Sequence, residues 1–237
     1  MQLFYCTEIA DGYCTLDAEE SHHAVRVLRL KEGDTIHVTD GQGSMMQGRI
    51  TVADERGCQV EIVGVERQDV TPVNLCLAVA PTKNPSRMEW LVEKAVEIGV
   101  GRIVLLQGDH SERVFMKTER LKRVAVSAMK QSLQLRLPDV ESVVTVRDFL
   151  GGMPVSGQCF IAHCEAGQPR VPLADALLPG HDTTILIGPE GDFSQEEIAL
   201  ALRQGCKPVS LGSSRLRTET AAIYAACAFN LINDSKK

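Results

Sequence analysis

The apolar pattern of this chain changes period once, near residue 72, and that change limits the folds open to it. Up to about residue 66, short β-type runs alternate with turn residues: Thr35-Ile-His-Val-Thr39, Asp40-Gly41-Gln-Gly43, Gln47-Gly-Arg-Ile-Thr-Val52 and Gln59-Val-Glu-Ile-Val63. An Asp-Gly step between such runs signals a hairpin, because its turn needs positive φ. Residues 21–30 interrupt the pattern with Ala24, Val27 and Leu28 at helical spacing. The expectation for this part is a small β-barrel with one short helix. Residues 66–72 are polar, end in Pro72 and read as a linker, which sets domains of 1–72 and 73–237.

Beyond the linker, strand and helix alternate, the pattern of a parallel sheet covered on both faces in an α/β domain. Residues 74–80 form a continuous apolar strand. Ser86-Arg-Met-Glu89 reads as a capping box opening a helix with Met88, Leu91, Val92, Ala95 and Val96 on one face and Gly99 as its stop. Residues 103–106 are the next strand, and 118–134 a helix that Pro138 keeps from extending. Strands are expected at 159–163, 183–187 and 208–211. A second capping box, Ser194-Gln-Glu-Glu197, starts a helix towards Gly205, and the last helix begins near Thr218.

Composition narrows the function classes. With 44% of 237 residues hydrophobic, the chain buries a real core and is not disordered. The first 20 residues carry five acids and no basic start, and no apolar run approaches the roughly 18 residues of a membrane span; a cytoplasmic protein without membrane association is expected. The eight cysteines show no C-x-x-C spacing, which suits a reducing compartment. His163-Cys164-Glu165 lacks a second ligand cluster, so no metal is assigned. The net charge of -6 argues against a polyanion partner. It is unevenly spread, however. Residues 1–72 hold 6 basic and 13 acidic groups, 83–136 hold 11 and 6, 137–200 hold 2 and 10, and 201–237 hold 6 and 2. RNA binding is left open by charge alone.

In an open α/β sheet, ligands bind beyond the carboxyl ends of the strands. Three loops qualify: residues 162–167, Gly188-Pro-Glu-Gly-Asp-Phe193, and residues 212–220. The chain contains neither G-x-G-x-x-G nor a Walker-type lysine loop, which leaves a cofactor without a phosphate tail. Gly188 and Gly191 let backbone approach a flat ligand, or simply form a turn. Arg215-Leu-Arg217-Thr-Glu219-Thr places two guanidiniums and a carboxylate before a helix N-terminus. Equally, Thr218 would cap that helix and Glu219 complement its dipole.

Ile187-Gly-Pro-Glu-Gly-Asp-Phe-Ser194 followed by Leu211-Gly-Ser-Ser-Arg-Leu-Arg-Thr-Glu-Thr-Ala221 resembles the signature of the 16S rRNA (uracil-1498-N3) methyltransferases of the SPOUT superfamily. The likeness spans nearly the whole chain. His23-Ala-Val-Arg26-Val-Leu-Arg29-Leu-Lys31-Glu-Gly-Asp34 is similar to the start of that family's PUA-like domain. The run from Arg87 through Glu97, then Ser111-Glu-Arg113, then Gln131-Ser132 and Pro138, follows in the family's order.

The resemblance implies an N-terminal PUA-like β-barrel and a C-terminal SPOUT α/β domain with a trefoil knot. It also implies a homodimer, S-adenosylmethionine as cofactor, and 16S rRNA of the small ribosomal subunit as substrate, methylated at uridine N3. Carried over residue by residue, it assigns the cofactor to His163, Ile187, Gly188, Pro189, Glu190, Gly191, Leu211, Gly212, Leu216, Thr218 and Thr220. Arg217 would stabilise the negative charge that spreads to O2 and O4 as N3 loses its proton, with Glu219 as base or as the group orienting the uracil edge. RNA contacts would fall to Arg26, Arg29, Lys31, Arg87, Arg113 and Arg136. Asp192 stands where the family usually has a second glycine. Ser214 and Arg215 stand where it has arginine and an aliphatic residue, and Leu135 lies where many members have arginine, leaving Arg136 as the substitute. Two other readings are a non-catalytic RNA-binding assembly protein and a ribose 2'-O-methyltransferase.

Overall fold

The structure, a computed structural model, describes residues 2–68, 73–112, 115–153, 157–165 and 169–234. They form two compact units: Met1–Pro72 with Val126–Leu137, and Val73–Ala125 with Pro138–Lys237.

In the first unit, β1 (Leu3–Tyr5), β2 (Ile9–Ala10), β3 (Tyr13–Thr15), β4 (Thr35–Thr39), β5 (Ser44–Val52) and β6 (Gln59–Gln68) make one sheet in the order β1-β4-β5-β6-β3-β2. Only β1 and β4 pair in parallel; the other neighbours are antiparallel. Period-2 alternation sends Ile36 and Val38 of β4 inward to meet Phe4, Leu16, Ile50 and Val60. At Gly48 a Cβ would lie 2.4 Å from Val60 Cγ1, so the strands approach there only with glycine. No ladder joins β1 to β2 among the described residues. The expected barrel is thus a sheet around one core rather than a ring closed by hydrogen bonds.

The helical interruption differs from its apolar spacing. A short helix α1 (Ala18–His22), capped by the Asp17 carboxylate accepting from Glu20 N at 2.8 Å, runs into a single π-helical turn, His23–Val27. Val27 and Leu28 are exposed and only Ala24 of the expected face is buried. Polar partners decide the orientation: buried Ser21 donates to Leu16 O at 2.9 Å and accepts from Cys58 N at 2.8 Å. Buried Glu20 is ion-paired with Lys130 of α3 (Thr118–Ser132). Removing the ammonium would strand a buried carboxylate, a loss of about 3–5 kcal/mol. That bond joins residues 110 apart in sequence. It is one reason why Val126–Leu137, expected in the second domain, belongs to the first unit. Gly43 N donating to Leu135 O and Leu137 N donating to Gly41 O, both at 2.8 Å, are others.

The second unit is α/β. Its strands are β7 (Leu75–Val79), β8 (Arg102–Gln107), β9 (Asp139–Thr145), β10 (Gln158–Ala162), β11 (Val171–Pro172), β12 (Thr183–Ile187) and β13 (Lys207–Ser210). They form one sheet in the order β11-β13-β10-β12-β7-β8-β9, and every neighbouring pair is parallel. Helices α2 (Pro85–Ile98), α4 (Val146–Gly151), α5 (Leu173–Ala176), α6 (Gln195–Arg203) and α7 (Thr218–Asp234) complete it. On one face Ala78, Val104, Leu106, Ile161 and Leu186 pack with Phe149 of α4 and Ile198 of α6. Helices α2 and α7 run side by side in the same direction, with Arg87 beside Glu219 and Asn230 Nδ2 donating to Ile98 O at 2.9 Å.

Three details depart from the sequence expectation. Asn84, not Ser86, caps α2, its side chain accepting from Ser86 N at 3.0 Å with Pro85 as the first helical residue. Cys159 of β10 and Cys206, the residue just before β13, form a disulfide with Cα atoms 4.4 Å apart, whereas the sequence expectation paired no cysteines. Strands β9 and β11 and helices α4 and α5 have no counterpart in the sequence expectation. Gly99 ends α2 in the left-handed region (φ 94°), as its position suggests. Among the described residues no helix is long and apolar enough to cross a membrane, and no group of three His, Cys, Asp or Glu could hold a metal.

Candidate functional site

Because all seven strands are parallel, their carboxyl ends share one edge, and the loops that leave it are the place where a ligand meets many backbone groups. The central one follows β12. Ile187 is buried between Ala162 and Val79, and its carbonyl accepts from Ala80 N at 3.0 Å. Gly188 and Pro189 are buried, while Glu190 and Gly191 are exposed. A Cβ at Gly188 would lie 3.1 Å from the Phe193 ring and 3.2 Å from Phe193 N, and one at Gly191 3.0 Å from His110 Cβ. Both glycines therefore serve close packing within the protein.

Asp192 closes this loop in the left-handed region (φ 64°), its amide donating to Pro189 O at 2.9 Å. One carboxylate oxygen accepts from Cys164 N at 2.6 Å and the other from Phe193 N at 2.8 Å. The opposite flank is held by the loop after β8. His110 Nδ1 lies 3.1 Å from both Gly191 O and Asp192 O, and two carbonyl acceptors call for a proton on that nitrogen. Asp109 N donates to Glu197 Oε1 at 3.0 Å, and Ser194 Oγ donates to Asp109 Oδ2 at 2.6 Å. Ser194 and Glu197 form the capping box of α6 expected from sequence.

The loop after β10 begins at His163, which is buried. Its Nδ1 accepts from Glu165 N at 3.3 Å, which leaves the ring proton on Nε2, a buried atom with no partner among the described residues. Burial lowers the His163 pKa, and nearby Arg170, which donates to His163 O, acts in the same direction; Asp192 opposes them. The ring is therefore neutral and carries an orphaned donor, the kind of group a ligand satisfies. Gln195 Nε2 donates to Glu165 Oε1 at 3.0 Å, a further tie to the segment after β12.

The third loop leaves β13. Leu211 and Leu216 are half-buried, Gly212 takes φ 96°, and residues 213–215 and Arg217 are exposed. Arg217 O accepts from Ala221 N at 2.8 Å, so α7 begins at Thr218. Thr218 is not the cap: its hydroxyl donates to Gly188 O at 3.1 Å, which joins this loop to the one after β12. Glu219 is buried in the first turn. Its Oε1 stands 3.6 Å from Arg87 Nε, and Oε2 has no partner among the described residues. Thr220 is exposed and lies about 200° round the helix from Thr218, so the two threonines do not share a face.

The structure thus brings together His163, Ile187, Gly188, Pro189 and Thr218, with Glu219 beside Arg87. It turns Arg87, expected to contact RNA, towards an internal carboxylate. Arg136 is half-buried against Gly43, where a Cβ would come within 2.6 Å of its guanidinium, so it is not the free phosphate contact expected. Arg26, Arg29 and Lys31 are exposed. Arg26, however, is ion-paired with Glu55, an acid from outside residues 22–31. Arg113 lies outside the described residues. Sequence reasoning missed Asp109, His110 and Gln195; the available signal was the polar run that follows the apolar strand β8.

The RNA methyltransferase domain family matches residues 69–230, and an RNA methyltransferase PUA domain matches residues 16–63. The chain belongs to the RNA methyltransferase domain family. A curated relative, the ribosomal RNA small subunit methyltransferase E of Synechocystis, is 30% identical over 96% of this chain and 76% of its own. The crystal structure of a probable rRNA-methyltransferase from Porphyromonas gingivalis aligns over the whole of both chains at 41% identity and a TM-score of 0.92. That of a ribosomal RNA small subunit methyltransferase E from Neisseria gonorrhoeae, bound to S-adenosyl methionine, aligns over 98% of both chains at 26% identity and a TM-score of 0.82. Members of this family transfer methyl groups to RNA, and the N-terminal unit is the PUA-like part.

Proposed function

We propose that this protein is an S-adenosylmethionine-dependent 16S rRNA methyltransferase that modifies N3 of a uridine in the small ribosomal subunit. The observation that carries this reading is the bond from Thr218 to Gly188 O, which ties the start of α7, with Arg217 and Glu219, to the glycine loop on a chain alike over 96–98% of its length to proteins named ribosomal RNA small subunit methyltransferase E. The edge fits the cofactor: a braced, glycine-containing loop at a strand end, and a buried His163 Nε2–H with no partner among the described residues. When bound, S-adenosylmethionine supplies a methyl group activated by its sulfonium charge.

The residues of the chain do the rest. Gly188, Pro189 and Leu211 hold backbone against the ligand, and His163 offers its orphaned donor. The Arg217 side chain has no hydrogen-bond or ion-pair partner among the described residues. Its guanidinium is free to meet the charge that develops on O2 and O4 as N3 is deprotonated. Glu219, its charge balanced by Arg87, accepts the N3–H, which orients the uracil edge, and takes up the proton that N3 loses. Uracil N3 sits on the pairing edge, so the target must be unpaired or extruded. Arg29, Lys31 and the Glu55-paired Arg26 contribute backbone contacts.

The finer fold features belong to the same proposal. The passage of β13 between β10 and β11, followed by the return of the chain to Gly188, supports the trefoil knot. Exposed Tyr224, Cys227 and Leu231 on α7, with exposed Trp90 on the adjacent α2, support a homodimer, and a cytoplasmic location follows from the substrate. Reverse transcription of small-subunit RNA from cells lacking the protein tests the function. An N3 methyl stops extension, so a stop lost on deletion and regained on complementation is expected. A persistent stop, or a lost ribose methyl instead, would overturn the N3 assignment.

A further inference from the structure

We propose that Asp192 is a positioning residue, a latch that fixes the loop after β10 against the loop after β12 so that both face the cofactor in one arrangement. The proposal rests on the reading of this edge as the S-adenosylmethionine site. Glycine would adopt φ 64° without steric cost, so the backbone gives no reason for a side chain here. The side chain instead makes two charge-assisted bonds. Its 2.6 Å contact with Cys164 N crosses 28 residues of sequence, and its 2.8 Å contact with Phe193 N fixes the carboxylate's own direction.

Cys164 directly follows His163, whose buried ring carries the Nε2–H that has no partner among the described residues. Holding the Cys164 amide therefore sets the plane from which that ring leaves the backbone. The Asp192 carbonyl is meanwhile held from the other side by His110 Nδ1. Asp192 thus passes the fixed position of the loop after β8 to the loop after β10. Gln195 donating to Glu165 Oε1 repeats the tie one turn further along.

The alternative is a purely local role, the carboxylate stabilising its own turn through Phe193 N. Asp192→Gly keeps the left-handed turn and removes both carboxylate bonds, so the two roles are separated by what happens at the Cys164 amide and to cofactor affinity. Its expected signature is S-adenosylmethionine binding weakened about tenfold by calorimetry. KM for the cofactor should rise in step, while kcat falls less than about threefold and Tm does not fall. Hydrogen exchange at the Cys164 amide should accelerate. Asp192→Asn, which tolerates the same backbone and keeps one acceptor, should recover part of the affinity. Native affinity and unaltered Cys164 exchange in Asp192→Gly would overturn the latch. So would a parallel fall of affinity, kcat and Tm, the mark of general damage. Should the native protein give no heat with S-adenosylmethionine, the cofactor reading fails by itself, and Cys164 exchange in Asp192→Gly still decides the latch.

Discussion

The loops after β12 and β13 both carry glycines and both leave the same sheet edge, yet they are built in opposite ways. Residues 188–194 are braced by His110, Asp109 and Cys164, and the hydroxyl of the capping Ser194 is itself bonded twice. Residues 212–217 are mostly exposed, and the side chains of Arg215 and Arg217 have no hydrogen-bond or ion-pair partner among the described residues. One loop is a frame whose polar groups are satisfied before any ligand arrives. The other keeps its charges uncommitted. A catalyst needs both, because a cofactor is best held by groups that do not move, while charge that develops only in the transition state must meet a cation not already neutralised. Changes in the first loop should therefore cost cofactor affinity, and stability too where they disturb its packing, while changes in the second should cost rate.

The largest effect expected is at Arg217. Removing one donor aimed at developing charge typically costs about 100- to 1000-fold in rate. Arg217→Ala should show that loss in single-turnover methyl transfer, with calorimetric cofactor affinity within about twofold of native and Tm unchanged. A variant that turns over normally but binds the cofactor poorly would place Arg217 in the frame and dissolve the contrast. Gly188→Ala should do the reverse. The added methyl meets Phe193 at 3.1–3.2 Å on ring and backbone, and such overpacking costs about 1–3 kcal/mol. Denaturant titration should show the loss, with weaker cofactor binding beside it.

Thr218→Val probes the bond between the two loops. It leaves the Gly188 carbonyl without its 3.1 Å donor at nearly constant volume. A stability loss of about 1 kcal/mol is expected in the same titration, with both affinity and rate reduced, since this side chain belongs to both loops. A loss confined to one of them would assign Thr218 to that loop alone.

These contrasts were only partly legible in the sequence. Strand β12 could be read because a run buried on both faces and bounded by glycine has few other meanings, and Ser194 with Glu197 because a capping box is written in adjacent residues. Strand β9 escaped because it is an edge strand with only Val140 buried, so its pattern resembles a polar loop. The capping box expected at Ser86 and Glu89 lost to Asn84-Pro85, which starts the helix two residues earlier. Long-range bonds stayed hidden altogether. Nothing local says that Lys130 finds Glu20, that Glu55 neutralises Arg26, or that Cys159 meets Cys206. Asp192 was visible as a departure from a family pattern, but its partner at Cys164 was not.

The smallest effect expected concerns pH and again separates frame from arm. Burial lowers the His163 pKa below its usual 6.5. As pH falls through 6.5, the unfolded chain takes up a proton that the folded ring still refuses, so stability is lost until the folded pKa is reached. Stability should thus rise with pH across the window just below 6.5. His163→Gln removes the titrating group and should flatten that part of the denaturation-against-pH curve. Cofactor binding follows the same sense: the orphaned Nε2–H is a donor in the neutral ring, but charging the ring would also cost Nδ1 its role as acceptor from Glu165 N and disturb the loop after β10. Guanidinium groups do not titrate near neutral pH, so kcat at saturating cofactor should owe none of its pH dependence to the arm. An acid limb that appears in kcat but not in cofactor affinity would show that the ring acts on the reacting base rather than on the frame.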